Sequence, residues 1–167
     1  KKMEEQFAEQ FQRINEHFAR TFTRLFGGGT AKLQLQDEKN VLTCGIDIVA
    51  QPPGKKLQLL SRLSGGERAL TAIAILFAML EIRPSPFCIL DEIEAALDEA
   101  NVANFADYLK QYSRDTQFIV ITHRKGTMER CDALYGVAME EKGVSRMVSV
   151  QLRDLEEQLE EESHDGE

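Results

Sequence analysis

The chain has 167 residues, with 20 Lys or Arg against 28 Asp or Glu, a formal charge of −8, and 43% hydrophobic side chains. This composition excludes wholesale disorder, and the longest apolar run, Ala69 to Leu80, is too short to span a bilayer and is broken by Thr71. Cys44, Cys88 and Cys131 are an odd set without paired spacing, so neither a disulfide framework nor a zinc site is expected, and a reduced, intracellular protein is. The acidity is uneven: eight of the 28 acids but one of the 20 bases lie from Arg153 onward. The body is nearly neutral, so net charge does not exclude a nucleic-acid partner.

In chain order, Phe7, Phe11, Ile14, Phe18, Phe22 and Leu25 recur at helical spacing and form one apolar stripe, stopped by Gly27-Gly28-Gly29. The helix opens without a cap signal, so it is read as the end of a longer element. Its phenylalanines favour packing on a globular head at its C-terminal end over a coiled-coil seam there. Strands are expected over Ala31 to Gln36 and Val41 to Val49, and a turn at Gln51-Pro52-Pro53-Gly54. A buried helix over residues 65 to 82 ends at Arg83-Pro84. Phe87 to Leu90 and Phe118 to Ile121 have the continuous apolar pattern of strands covered on both faces. Between them Val102, Phe105, Ala106, Leu109 and Tyr112 mark a helical stripe, and Ala133 to Met139 and Val144 to Leu152 read as two further strands joined around Glu141-Lys142-Gly143. The order predicts an α/β fold, a parallel core extended by antiparallel edges. From Arg153 the acidic tail reads as disordered.

Three stretches could carry chemistry. Leu63-Ser64-Gly65-Gly66-Glu67 stands before the long helix. Its free N–H groups and bare glycines suit an anion, yet Ser64 and Glu67 equally suit an ordinary capping box. Phe87-Cys88-Ile89-Leu90-Asp91-Glu92 is an apolar strand ending in two acids. Asp91 is placed to hold Mg²⁺ through water and Glu92 to deprotonate an attacking water, or both acids simply begin the next helix. Ile121-Thr122-His123 ends the other strand with a histidine that is either a phosphate contact or structural. His17 and His164 have no comparable setting. No Gly-x-x-x-x-Gly-Lys-[Ser/Thr] occurs, and Gly54-Lys55-Lys56 lacks the rest of that pattern, so a nucleotide site here needs its phosphate cradle from another segment.

In order and spacing these stretches resemble the C-terminal half of an ATP-binding-cassette-type head: signature motif at Leu63 to Glu67, Walker B strand at Phe87 to Glu92, D-loop at Ala96-Leu97-Asp98 and switch-histidine loop at Thr122-His123. The text from Leu63 to Ala72, from Asp91 to Val102 and from Ile121 to Glu129 is similar to the structural-maintenance-of-chromosomes (SMC) family, in its bacterial chromosome-condensing branch. The match covers roughly residues 1 to 152. The resemblance implies residues 1–26 as the base of a coiled-coil arm, 27–152 as the C-terminal lobe of an ATPase head and 153–167 as a tail without a motif. It implies that Leu63, Ser64, Gly65, Gly66 and Glu67 reach, in trans, ATP held by an opposite head. On their own head Asp91 serves Mg²⁺, Glu92 the attacking water and His123 the γ-phosphate, with Asp98 at the head–head interface. Expected partners are an N-terminal head lobe carrying Walker A, a second head, the winged-helix domain of a kleisin near the C-terminal strands, and DNA; no membrane is involved, and the location is cytoplasmic and nucleoid-associated. This chain alone is expected to be inactive. Two other readings stay open: a binding platform for kleisin and the partner head, and the head of a related DNA-repair ATPase. A transporter subunit fits the opening helix poorly.

Overall fold

The computed structural model describes residues 2–151. The acidic tail, and with it residue 152 of the last expected strand, lies outside these residues. Helix α1 (Lys2–Leu25) carries the apolar stripe, and only its C-terminal half is sealed, with Phe18, Thr21, Phe22 and Leu25 buried. It packs along a second helix, α2 (Gly65–Ile82), and along strand β1 (Thr30–Leu35). At its end the Phe26 and Gly28 N–H groups donate to the Phe22 and Thr23 carbonyls, with Gly27 at φ 65°, a left-handed stop. Asn15 then locks α1 to β1: the Leu33 N–H donates to Asn15 Oδ1 (2.7 Å) and Asn15 Nδ2 donates to the Leu33 carbonyl (3.3 Å). These bonds satisfy backbone groups on the open edge of a strand.

Strand β1 pairs antiparallel with β2 (Ile46–Gln51), which pairs with the two-residue β3 (Gln58–Leu59). Gly29 is required where this sheet begins, because a Cβ there would lie 2.3 Å from the Gln51 carbonyl oxygen. The second strand starts later than its sequence suggests. Asp37 accepts from the Lys39 N–H and the Asn40 amide, and the Asn40 carbonyl accepts from the Thr43 and Cys44 N–H groups. These side-chain and turn bonds outcompete extension, so Val41 and Leu42 sit in turns.

Helix α2 crosses the core through Leu70, Ile73, Ala74, Phe77 and Ala78. Phe77 is its centre, with ring contacts to Phe105, Tyr108 and Phe118. Strands β4 (Phe87–Asp91) and β5 (Gln117–Ile121) pair in parallel, Asp91 opposite Ile121, across helix α3 (Glu99–Tyr112). A single turn, α4 (Lys125–Met128), leads to a hairpin of β6 (Ala133–Glu141) and β7 (Val144–Gln151).

Two expectations are corrected here. Among the described residues only β4 and β5 pair in parallel; the other pairings are antiparallel and form separate sheets, not extensions of one mostly parallel sheet. Nor are β4 and β5 covered on both faces. Cys88, Leu90, Phe118 and Val120 face the core, while Phe87, Ile89, Ile119 and Ile121 are 53, 58, 47 and 51% exposed. The continuous apolar run is therefore not matched by two packed layers: one face of each strand meets the core and the other is bare. Among the described residues no helix is long and apolar enough to cross a membrane.

Candidate functional site

The carboxyl ends of β4 and β5 bring Asp91, Glu92 and His123 to one edge, the place where open α/β sheets hold ligands. Glu92 lies just past β4 with φ 46°, the only non-glycine residue with positive φ among the described residues. A glutamate held in this left-handed region costs about 1–3 kcal/mol and persists only when its surroundings fix it. Here the Glu92 N–H donates to the Ile121 carbonyl (2.9 Å), continuing the β4–β5 ladder by one step while the side chain turns outward. His123 Nδ1 lies 3.2 Å from Glu92 Oε1, both side chains facing solvent. Glu92 does not begin a helix: residues 93 to 96 are turns, and the next helix starts at Glu99. The helix-dipole reading of the two acids therefore fails.

Beneath this edge lies a contact network that the sequence reading did not single out. Glu94 is fully buried, and its Oε1 accepts from the hydroxyls of Thr122 (2.5 Å) and Thr127 (3.2 Å). The Thr122 hydroxyl also accepts from the Arg124 N–H (2.9 Å), and Arg124 Nη2 donates to the Leu97 carbonyl (2.9 Å). Asp98 caps α3 by accepting from the Asn101 N–H (2.9 Å). The one clue in the sequence was an acid, Glu94, set among the small and apolar residues Ile93, Ala95 and Ala96.

At the other motif the capping box forms in full. The Glu67 N–H donates to Ser64 Oγ (3.3 Å) and the Ser64 N–H to Glu67 Oε2 (3.0 Å). Lys55 Nζ, from the preceding loop, lies 2.8 Å from Glu67 Oε1. Burial pushes the Glu67 carboxyl up, but Lys55 and the Ser64 donors outweigh it and hold it below the ordinary value. Leu63 is buried as an anchor, while Ser64 and Gly65 are exposed. A Cβ on Gly66 would come within 3.1 Å of the Ala96 carbonyl oxygen, so the start of α2 abuts the turn that leads to Asp98. The cap and a ligand site are compatible, since the exposed Gly65 faces open space.

His17, given no role from sequence, lies 2.6 Å from Glu81 Oε2. Glu81 also accepts from the Tyr108 hydroxyl (2.7 Å) and the Thr21 hydroxyl (3.5 Å), joining α1, α2 and α3. His164 lies outside the described residues. For a divalent cation, Asp91 presents a hard, exposed carboxylate of the type Mg²⁺ prefers. No group of three or more His, Cys, Asp or Glu suited to a metal occurs among the described residues. Asp91 could supply one oxygen ligand to an ion otherwise held by phosphate and water.

A family model described as RecF/RecN/SMC N terminal domain matches residues 4–146. The chain is 63% identical over 155 residues to the chromosome partition protein Smc of Bacillus subtilis (strain 168), covering 93% of this chain and 13% of that protein. It therefore spans about an eighth of the length of such relatives. The fold superposes at a TM-score of 0.84 and 41% identity on a structure described under ATP-driven dimerization and DNA stimulated activation of SMC ATPases, covering 95% of this chain and 96% of that one. It superposes at 0.85 and 41% identity on the Smc head domain with an extended coiled coil bound to the C-terminal domain of ScpA, derived from Pyrococcus furiosus, covering 95% of this chain and 39% of that one. The chain thus belongs to the RecF/RecN/SMC N terminal domain family, and its fold is that of an SMC head region.

Proposed function

We propose that this chain is the C-terminal lobe of an SMC ATPase head, which completes an ATP site together with a lobe that brings the phosphate-binding loop. The juxtaposition of Glu92 and His123 at the β4–β5 edge carries this reading. The matching family model is described by an N terminal domain. Placement in the C-terminal lobe rests instead on motif resemblance: the chain carries stretches that resemble the signature, Walker B, D-loop and switch-histidine motifs, and no Gly-x-x-x-x-Gly-Lys-[Ser/Thr] occurs in it. The bare faces of β4 and β5, and a cleft of about 970 Å³ between β5 and β6 lined by Ile119, Ile121, Leu134 and Tyr135, support a missing layer of protein.

In the completed site Glu92 accepts the proton of the water that attacks the γ-phosphate, and His123, beside it, contacts that phosphate. Asp91 would hold Mg²⁺ through water; when bound, the ion neutralises charge on the phosphate oxygens. Ser64, Gly65 and Gly66, with Leu63 and Glu67 shaping their turn, reach the nucleotide of a second head, and Asp98 lies at the head–head contact. Two heads thus close on ATP, and hydrolysis releases them. Helix α1, as the base of a coiled-coil arm, passes that cycle to chromosome condensation and segregation on DNA in the cytoplasm, at the nucleoid.

A second role is carried by the hairpin. Tyr135, Val137 and Met139 on β6 and Met147, opposite Val137 on β7, are exposed on one face of the hairpin, an apolar patch suited to a partner. We assign it to the winged-helix domain of a kleisin; a similar solved SmcHead is described as bound to the C-winged helix domain of ScpA.

ATP turnover by the full-length protein tests the main reading. Glu92→Gln is expected to lower kcat by about 10²–10⁴-fold with nucleotide binding retained. Turnover equal to the unmodified protein would sink the assignment.

A further inference from the structure

Glu94 is the only charged side chain fully buried among the described residues. A buried carboxylate is costly to desolvate and is kept where its hydrogen bonds matter. Its Oε2 has no hydrogen-bond partner among the described residues, and all of its bonding falls on Oε1. Of the two donors to Oε1, the Thr122 hydroxyl comes from the loop that carries His123 and the Thr127 hydroxyl from α4, which follows that loop.

The geometry points to Glu94 as a positioning residue for His123, acting through Thr122; this inference rests on the ATPase reading of the same site. A threonine hydroxyl has one proton to give. Thr122 gives it to Glu94 and accepts from the Arg124 N–H, so its rotor is fixed from both sides. The residue next to His123 is thereby tied to a carboxylate two positions after Glu92. The Glu92 N–H bond to Ile121 closes the second tie between the same two segments. The separation of Glu92 and His123 is set by these two ties, because both side chains are otherwise exposed. Arg124 adds a third tie, to the Leu97 carbonyl in the turn against which Gly66 packs.

The test is steady-state ATP turnover by the full-length protein. Thr122→Val, which keeps the shape and loses the hydroxyl, and Glu94→Leu, which keeps the bulk and loses the accepting oxygen, are each expected to lower kcat about tenfold with KM for ATP within about twofold, the signature of a lost transition-state interaction. Thr122→Ser restores the hydroxyl and is expected to recover kcat to within about threefold. In a His123→Ala background, Thr122→Val is expected to cost nothing further, since residues acting as one unit are not additive. The proposal is overturned if Thr122→Val turns over like the unmodified protein, or if it costs the same factor with and without His123. Glu92→Gln in the same assay separates the two levels. If Glu92→Gln abolishes turnover while Thr122→Val is neutral, only the positioning role falls; if Glu92→Gln is itself neutral, the ATPase reading falls and takes this one with it.

Discussion

His123 Nδ1 stands 3.2 Å from Glu92 Oε1 although 31 residues separate them. One parallel pairing achieves this, with Asp91 opposite Ile121, so that both chains leave the sheet at the same level. The left-handed backbone at Glu92 then turns its carboxylate toward the histidine. If Glu92 is the base proposed above and His123 sits beside it, His123→Ala is expected to cost less in kcat than Glu92→Gln, roughly 10–100-fold against 10²–10⁴-fold. Equal losses, measured as turnover at saturating ATP, would contradict that division of labour.

If Ser64 to Gly66 act on the opposite head, lesions there and at Glu92 complement. Ser64→Arg and Glu92→Gln are each expected to be nearly inactive alone. Mixed in equal amounts, half of the dimers are hybrid and each hybrid has one intact site, so turnover should return to about a quarter of normal. No recovery on mixing would place the signature turn on its own head's nucleotide.

The capping box predicts a stability effect separable from catalysis. Ser64→Ala is expected to destabilise by about 1 kcal/mol, read as a lowered denaturation midpoint. Since Glu67 is held below the ordinary carboxylate value, its contribution is present above that value and is lost as pH falls through the lower folded one. Glu67→Gln should therefore flatten the acid side of the stability profile.

At the arm, Tyr108 donates to Glu81, and burial, reinforced by the Glu81 charge, pushes its phenol up. Tyr108→Phe leaves Glu81 one donor short and is expected to cost about 1–3 kcal/mol in denaturant titration. With the folded phenol raised above its unfolded value of about 10, stability is full below that pH and falls as pH climbs toward the folded value. Tyr108→Phe should lose that alkaline decline.

The bare sheet face is where the N-terminal lobe proposed above is expected to dock. Ile89→Asp or Ile119→Asp would bury an unpaired charge in that contact and is expected to weaken co-purification of the two lobes by at least tenfold. Unchanged association would mean that the lobes meet elsewhere.

Much of this molecule was legible in its sequence because the signals are local. The stripe from Phe18 to Leu25, the Ser64–Glu67 box and the paired apolar runs each follow from helical or strand period and side-chain chemistry within a few residues. The misplacement of Val41 is equally local: Asp37 and Asn40 captured the backbone before extension could.

The uneven charge, once located, is a property of the acidic tail and leaves the near-neutral body free for any partner. Sequence alone determined which elements form and where the acids and the histidine fall along the chain. Only the tertiary structure decided that Glu92 faces His123, that Glu94 is buried beneath them, that Glu81 ties three helices together, and that β4 and β5 lack a covering layer. Each of these depends on segments distant in sequence meeting in space, and periodicity within one segment carries no information about what packs on its other face.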